Sequence, residues 1–326
     1  MIEITTPSRL HFTLIDLNAE IGRVDGGIGL TIDEPSLRIR AEMADEITVT
    51  TVTGEPDSAD RMRESAALLL PDGCGIKLHI ERDVPLHVGL GSGTQTALAA
   101  GMAVNRLYDL RLSVRDIATR VGRGGTSGIG VASFESGGFI LDGGHRFSEK
   151  GAFKPSAASK SSPPAPILFQ HPFPDWEIVL AIPDTMGAHD SEEVDIFEKE
   201  CPIPLHEVRE LSHVILMGMI PAVVEADIDA FGDSINRMQN VGFKRREIAL
   251  QRPEILELIE LMQDATCGGG MSSFGPVVYG ITDDRGDAAD AMHAATEFME
   301  SAIGGRCAIV HARNRGADIL HNSMKI

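Results

Sequence analysis

The chain is poor in cysteine and in aromatic side chains. Only 5% of its 326 residues are aromatic, and the four cysteines stand far apart with no Cys-x-x-Cys pair. This spacing argues against a zinc ribbon and against a disulfide framework. The eleven histidines show no His-Glu-x-x-His motif or similar ligand spacing. Cys267 precedes a glycine run and is interpreted as a buried or incidental thiol.

Positive charge is also scarce. The chain has 29 lysines and arginines against 48 acidic residues, a formal net charge of −19. Such a surface repels nucleic acid and acidic membranes, because nonspecific binding to either relies on clustered cations. The basic run 244–246 and the pair Arg120 and Arg123 are interpreted as solvated helix ends. An anionic small molecule would therefore need a locally positive pocket.

Long hydrophobic runs are absent. No apolar stretch approaches the 18–20 residues of a membrane span. The start, MIEITTPSRLHF, lacks a basic segment followed by an apolar one, so the sequence predicts a cytoplasmic protein without a secretory signal. With 43% hydrophobic and 24% charged residues, the composition is that of a globular protein. The length predicts two domains or one large one.

Alternating strands and helices are predicted in the first half of the chain, and an α+β arrangement with several successive helices in the second. A stretch rich in Ser, Ala and Pro at 154–166 is the best candidate for a domain boundary, which gives domains 1–160 and 161–326. Hydrophobic periodicity and capping signals predict the following elements: strands 46–53 and 76–80, helix 58–70, a capped helix starting at Ser113, strand 177–182, helices near 205–219, 225–240 and 253–264, strand 275–281, helix 286–303 and strand 305–311.

The strongest local motif is a glycine-rich turn between a strand and a helix rich in Ala and Leu, with the sequence VPLHVGLGSGTQ. Glycines permit close backbone approach, and a helix N-terminus offers unpaired N–H groups, so the turn is typical of phosphate binding. It lacks the lysine of a Walker A loop, and a purely structural turn remains an alternative. The candidate phosphate-binding residues are Gly89, Gly91, Ser92, Gly93, Thr94 and Gln95.

Two further segments accompany this turn, TTPSRLHF at residues 5–12 and CGGGMSSFGP at residues 267–276. The three together resemble, in order and spacing, the signature motifs of the GHMP kinase superfamily. The resemblance implies an α/β (α+β) two-domain fold. Its N-terminal domain would resemble ribosomal protein S5 domain 2, and its C-terminal domain would be ferredoxin-like.

The chain departs from the kinase pattern at one catalytic position. Mevalonate-type kinases carry an aspartate in a segment that matches TSGIGVA here, and the matching residue is Gly130. Glycine has no carboxylate to orient a hydroxyl or accept its proton, so the usual kinase base is missing. The middle loop also reads GSGTQ where the kinases usually have GSSAA.

These departures resemble the β-ribofuranosylaminobenzene 5′-phosphate synthases, an archaeal branch of the superfamily. Matching stretches include LIDLNAEIGRVDGGIGL and GRGGTSGIGVASFESGGFILDGG. The resemblance implies transfer of ribose 5-phosphate from phosphoribosyl pyrophosphate to 4-aminobenzoate or 4-hydroxybenzoate, with release of CO2 and pyrophosphate. It implies Mg2+ dependence, and we expect no organic cofactor, no nucleic-acid or membrane partner, and a homodimer. The acidic loop of ordinary phosphoribosyltransferases is absent.

Such a reaction needs donors for the leaving pyrophosphate and groups that hold a carboxylate. The catalytic candidates are Arg9, His11 and Asp25, of which the last also fits an ordinary Asp-Gly turn. His11 fits a structural histidine equally well. Lys154 and Lys160 are candidates for a phosphate-covering lid. The substrate-binding candidates are Arg23, Arg123, Thr126, Ser127, Gly128, Gly269, Gly270 and Ser272.

Two alternatives stay open at this point. One is a small-molecule kinase that uses another carboxylate, and the other is a non-catalytic sensor of a sugar phosphate or nucleotide. Gly130 favours the synthase over the kinase. The glycine loop together with Arg, His and Asp residues near 8–27 favours an enzyme over a sensor.

Overall fold

A long N-terminal hairpin forms the centre of the molecule. A computed structural model describes residues 1–52, 56–155, 158, 159, 162–185, 187 and 191–321. Strand β1 (Ile2–Asp16) pairs antiparallel with β2 (Arg23–Ala44). Apolar residues stand at alternate positions of both strands, and their side chains, such as those of Leu10 and Leu30, are fully buried because successive residues of a strand face opposite sides of the sheet.

Within the described residues, eight strands make up the first sheet. Its main order is β12-β1-β2-β4-β3, and β5 joins β2 to β7 while β6 also pairs with β2. Only the β3–β4 pair is parallel among the described strands of this sheet. The remaining members are β3 (Thr48–Thr51), β4 (Gly75–Arg82), β5 (Phe139–Asp142), β6 (His145–Arg146), β7 (Ile167–His171) and β12 (Asp318–His321).

The α-helices that accompany this sheet in the described part of the chain are α1 (Pro56–Ala67), α2 (Ser92–Leu107), α3 (Val114–Arg120), α4 (Ile129–Glu135) and α5 (Phe147–Lys150). Most residues of α2 are buried, as its composition of Ala and Leu requires. A capping box begins α3, in which Ser113 and Asp116 satisfy each other's backbone N–H groups. The predicted capped helix is therefore confirmed.

The second sheet has four antiparallel strands in the order β11-β8-β10-β9. They are β8 (Glu177–Pro183), β9 (Gly268–Met271), β10 (Val278–Thr282) and β11 (Gly305–His311). The helices of this half are α6 (Ser191–Glu200), α7 (Leu205–Val214), α8 (Ile220–Glu225), α9 (Ile228–Met238), α10 (Gly242–Ala249), α11 (Pro253–Ala265) and α12 (Arg285–Ala302). Residues 215–219 form a π-helical turn between α7 and α8.

The predicted elements recur in the structure with shifted ends. The prediction of one helix over 225–240 is wrong at its start, because Ala226 adopts a left-handed conformation and Asp227 caps a new helix. The strand predicted at 46–53 is ordered as β3 only over 48–51, and the helix predicted at 58–70 runs from 56 to 67. The other predicted strands and helices are present, with ends shifted by up to five residues.

The two halves share one hydrophobic core. Phe12 of β1 packs against Phe231 of α9 and Tyr279 of β10, at ring distances of 6.3 and 5.4 Å. Strands β7 and β12 follow residue 160 in the chain but join the first sheet. The boundary between 160 and 161 stays a prediction, and Lys160 lies outside the described residues. Within the described ranges, every helix is too short or too polar to span a bilayer.

Candidate active site

The three motifs, at residues 5–12, 84–95 and 267–276, meet around one cavity of about 200 Å³. The Ser272 hydroxyl accepts a hydrogen bond from the His11 N–H at 3.0 Å and donates one to the Gly89 carbonyl at 2.8 Å. The N–H of Ser273 donates to the His11 carbonyl at 2.9 Å. Ser272 and Ser273 thus hold together the segment at His11 and the loop at Gly89, which lie 261 and 183 residues before Ser272 in the sequence.

The loop before α2 requires glycine for its shape. Gly89 and Gly91 have φ values of +96° and +79°, a region that other residues rarely adopt. A Cβ atom at Gly91 would lie 3.1 Å from the side chain of Arg9. The loop and the N-terminus of α2, which favours negative charge, both face the cavity. Its phosphate-binding role stays a prediction.

Three arginines surround this helix N-terminus. The Arg9 guanidinium donates to the Gly89 carbonyl, and a Cβ atom at Gly93 would collide with guanidinium nitrogens of both Arg61 and Arg123. All three side chains line the cavity. Two like charges against the same glycine are costly unless an anion lies between them. Arg61 was missed by sequence reasoning, because nothing distinguishes it from other arginines of a surface helix.

Ser127 lies between a buried imidazole and a buried carboxylate. Its hydroxyl is 3.0 Å from Nε2 of His11 and 3.3 Å from Oδ2 of Asp142. The carboxylate of Asp142 also accepts from the N–H groups of Gly128 and Gly144, at 2.8 and 2.9 Å. Both His11 and Ser127 line the cavity, whereas Asp142 lies behind them. Sequence reasoning found the first two and missed the aspartate.

Burial shifts the pKa values of this group. Burial, together with the charges of Arg9 and Lys244, holds the pKa of His11 well below its usual range, so its imidazole is neutral at neutral pH. Burial raises the pKa of Asp142 to about 6, although backbone N–H groups favour its charged form. At neutral pH the group therefore holds one carboxylate and one neutral imidazole.

A buried ion pair forms another part of the wall. Lys244 of α10 pairs with Glu247 at 2.5 Å and donates to the Ser273 carbonyl at 3.2 Å. The lysine was interpreted from the sequence as a solvated helix end, and that interpretation is wrong, because its side chain is completely buried. Burial lowers the pKa of Lys244 and raises that of Glu247. Glu247 is the only acidic side chain among the described residues that line the cavity.

Asp25 and Arg23 lie away from the cavity lining. Asp25 is buried and accepts from Lys150 at 2.6 Å and from His145 at 2.7 Å, while Lys150 also donates to Thr126 at 3.0 Å. Arg23 donates to the carbonyls of residues 143 and 144, at 2.8 and 2.9 Å. These contacts stabilise the wall behind Thr126, and the catalytic and substrate-binding roles of both residues stay predictions.

The remaining candidates are distributed around the site. Thr126 lines the cavity and donates to the carbonyl of Lys154 at 2.7 Å. Gly269 and Gly270 are buried in β9, beside the cavity-forming loop but outside the lining. Lys154 contributes that backbone carbonyl, and its role in a lid stays a prediction. Cys267 is half-buried, with its sulfur 3.8 Å from the Thr282 hydroxyl.

The residues that depart from the kinase pattern contact one another. A Cβ atom at Gly130 would lie 3.2 Å from Cγ2 of Thr94, and the Gln95 amide donates to the Gly130 carbonyl at 2.8 Å. Thr94 therefore fills the space next to the position where kinases carry aspartate. The two departures from the kinase pattern, Gly130 and the loop residues Thr94 and Gln95, therefore pack against each other.

Aromatic side chains form the apolar end of the cavity. Phe197 of α6 and Phe274, which follows β9, line the cavity and both pack on Phe243, at ring distances of 4.7 and 5.5 Å. Leu14 and Leu86 complete this surface. A planar ring fits such a wall, because aromatic rings pack favourably edge to face or offset. Sequence reasoning missed this wall, since its members lie on separate elements.

Comparison with known proteins identifies the family. The model of the GHMP kinase N-terminal domain matches residues 57–138, and the model of the GHMP kinase C-terminal region matches residues 219–301. The chain is 48% identical to β-ribofuranosylphenol 5′-phosphate synthase of Archaeoglobus fulgidus, over 98% of this chain and 99% of that protein. The chain belongs to the β-ribofuranosylphenol 5′-phosphate synthase family. The resemblance inferred from the motifs is confirmed.

A second synthase, from Methanothermobacter thermautotrophicus, is 46% identical over 96% of this chain and 97% of its own length. The fold is that of the kinases, since homoserine kinase from Cytophaga hutchinsonii superposes with a TM-score of 0.70 at 17% identity, over 98% of this chain and 97% of that one. The expected two-part GHMP fold is confirmed. As a member of the synthase family, the chain is an enzyme that transfers a ribosyl group.

Proposed function

We propose that this enzyme transfers ribose 5-phosphate from phosphoribosyl pyrophosphate to 4-hydroxybenzoate, with release of CO2 and pyrophosphate. The observation that carries the proposal is a single cavity in which three arginines adjoin an aromatic wall. The relatives are synthases of a ribofuranosylphenol product, which favours 4-hydroxybenzoate over 4-aminobenzoate as the acceptor.

The cationic end of the cavity suits the donor. Pyrophosphate and the 5-phosphate are both anions that a guanidinium fork and a helix N-terminus bind well. Arg9, Arg61 and Arg123 stabilise the negative charge that develops as pyrophosphate leaves C1 of the ribose. The three guanidinium groups already lie against the glycine loop, at Gly89, Gly91 and Gly93. Little reorganisation is therefore needed when the bond to pyrophosphate breaks.

The apolar end suits the acceptor. A benzoate ring lying on Phe197 and Phe274 presents the ring carbon that bears the carboxylate to the ribose. That carbon forms a bond with C1 of the ribose while the bond to pyrophosphate breaks with its electron pair. The carboxylate then leaves as CO2, and its bonding electrons restore the aromatic ring.

Magnesium fits this cavity only as part of the donor. Mg2+ prefers several oxygen ligands, and the described lining offers one carboxylate, Glu247, which is engaged by Lys244. Among the described residues no group of three or more His, Cys, Asp or Glu side chains is placed to hold a metal. We therefore assign no resident magnesium ligand and attribute the expected Mg2+ to the pyrophosphate of the substrate.

A direct assay tests the proposal. The purified enzyme is incubated with phosphoribosyl pyrophosphate and carboxyl-labelled 4-hydroxybenzoate, and labelled CO2, pyrophosphate and the phenol product are measured. Parallel reactions replace the donor with ATP and the acceptor with small alcohols. We expect equal amounts of CO2 and pyrophosphate, and no ADP. ADP formation that depends on an alcohol, without CO2 release, contradicts the proposal.

A variant tests the place of the acceptor. Phe274→Ala removes part of the aromatic wall and is expected to raise KM for the benzoate with little change in KM for the donor. Phe298→Ala is the matched control, because Phe298 is half-buried in a separate core cluster outside the cavity. An unchanged benzoate KM in Phe274→Ala contradicts this placement.

We also propose that the enzyme is a homodimer. Leu216, Met217 and Val224 are more than half exposed on the turn 215–219 and α8, and their apolar surface suits an interface. Light scattering on the purified enzyme tests this, and Leu216→Glu is expected to yield monomers. A monomeric wild type contradicts it.

A further inference from the structure

The hydroxyl of Ser127 is shared between two buried groups. It donates to Oδ2 of Asp142 and lies 3.0 Å from Nε2 of His11. In the His11 tautomer that carries its proton on Nδ1, Nε2 and the carboxylate both compete for the single serine proton. Ser127 itself is half-buried and lines the cavity. The serine therefore connects the cavity with two buried groups that accept protons.

The backbone around this group leaves room for it and holds it in place. A Cβ atom at Gly27 would lie 2.6 Å from Oγ of Ser127, 2.9 Å from Oδ2 of Asp142 and 3.2 Å from Nε2 of His11. Any side chain at residue 27 would thus displace the group. The N–H groups that bond Asp142 fix its carboxylate on the other side.

The proposed reaction needs a proton to move. Attack by the ring is strongest when the 4-hydroxyl, which lies opposite the attacking carbon, gives up its proton, because the oxygen then donates electrons into the ring. The same oxygen must regain a proton when CO2 leaves. A group that accepts this proton and returns it would serve both steps.

We propose that Ser127 is the catalytic residue that takes the proton from the 4-hydroxyl of the acceptor and passes its own proton to Nε2 of His11. The inference rests on the proposed function. In the first step the acceptor O–H bond breaks, a new Ser127 O–H bond forms, and the former serine proton binds His11. The transfers reverse as CO2 leaves, so no proton is gained or lost. Asp142 is a positioning residue whose carboxylate stabilises the imidazolium.

The surrounding charges make this transfer depend on bound substrate. Arg9 from β1 and Lys244 from α10 oppose a positive charge on His11. Asp142 from β5, hydrogen-bonded to the same serine hydroxyl, carries the opposite charge and would favour it. Asp25 from β2 adds negative charge near Asp142. The phosphates and the carboxylate of the substrates offset the cations, and His11 becomes a stronger base when the cavity is filled.

The test compares acceptors whose hydroxyl groups differ in acidity. Wild type, Ser127→Ala and Ser133→Ala are assayed with 4-hydroxybenzoate and with 3,5-difluoro-4-hydroxybenzoate, whose hydroxyl is already ionised at mildly alkaline pH. Ser133 of α4 is a matched control, because it is a fully buried serine outside the cavity lining. Its hydroxyl accepts a hydrogen bond from the Thr31 hydroxyl at 2.9 Å. Thermal melting shows which variants are folded.

We expect Ser127→Ala to lose about 100-fold or more in kcat with 4-hydroxybenzoate and to approach wild type with the ionised acceptor. Ser133→Ala should behave alike with both. In the wild type, kcat should fall below pH about 6 as Asp142 becomes protonated, and Asp142→Asn should lack this limb.

Two results overturn the inference, and they differ in what else they overturn. Equal losses of Ser127→Ala with both acceptors, in a folded variant, refute the proton relay and leave the proposed function intact. If the wild type forms no product with either acceptor, the proposed function and the relay both fall. If Ser127→Ala does not fold, Asp142→Asn and the two acceptors decide by the same comparison.

Discussion

Removal of Arg61 gives the sharpest test of the anion site. Arg61 and Arg123 both touch the space above Gly93 at the N-terminus of α2, so Arg61→Ala removes one of two cations there. A hydrogen bond to a charged group contributes about 1.5–3 kcal/mol. We therefore expect KM for phosphoribosyl pyrophosphate to rise about 10- to 150-fold, while KM for the benzoate changes little.

The same substitution should not destabilise the free enzyme. Two cations about 5 Å apart repel each other by about 1–3 kcal/mol, depending on the effective dielectric constant. Asp57 and Glu64 line the groove on the other side of Arg61 and offset part of this repulsion. The melting temperature of Arg61→Ala should therefore equal or exceed that of the wild type.

Initial rates at varied donor concentration and thermal melting supply the two measurements. Arg63→Ala is the matched control, because Arg63 lies on the same helix and pairs with Asp60 at 2.5 Å near the surface. An unchanged donor KM in Arg61→Ala, or an equal rise in Arg63→Ala, would refute the assignment of Arg61 to the anion site.

Three further predictions follow from the site. Arg9→Lys should keep the fold but lose about 30- to 150-fold in kcat/KM, because lysine cannot contact the Gly89 carbonyl and a phosphate with one planar fork; steady-state kinetics within twofold of wild type would contradict this. Gly130→Asp should give no kinase activity, and it should lower the free energy of unfolding by about 1–3 kcal/mol because the new side chain crowds Thr94. Thr94→Ala should relieve part of that loss in a double-mutant cycle, and additive effects would contradict the contact. Burial raises the pKa of Asp142 to about 6 from 3.8, so ionisation of this carboxyl destabilises the native state. The free energy of unfolding should therefore fall by up to ~3 kcal/mol as the pH rises from about 4 to about 6. Chemical denaturation of Asp142→Asn should lack this fall.

Local signals predicted the parts of the site that lie within one segment. The glycine loop before α2 was recognisable because its glycines and its helix start are neighbours in sequence. Its neighbours Arg9 and His11 were found because they belong to a motif of their own, and both line the cavity. The ends of α9 and of β3 were misjudged, because a left-handed Ala226 and a short edge pairing leave weak local signals.

Side chains that reach the site from distant elements could not be predicted. Arg61 and Arg63 are two residues apart on one helix, and only packing of α1 beside α2 directs the first to the cavity. Lys244 is part of a basic run that is typical of a solvated helix end, yet it is buried against Glu247 and the loop after β9. Asp25 has the positive φ, at +70°, that an Asp-Gly turn would give, yet it lies within β2 opposite Asp16, and its carboxylate pairs with Lys150.

The contact between Thr94 and Gly130 affects how readily single substitutions could convert such a synthase into a kinase during evolution. To regain the carboxylate, a chain must either insert it against Thr94 or first shorten Thr94 and leave a void beside the glycine. The first order strains the packing and the second creates a cavity, and each costs stability before any kinase activity can be selected. The packing thus opposes single substitutions at either position, and we expect a change to phosphate transfer to need paired substitutions at Thr94 and Gly130.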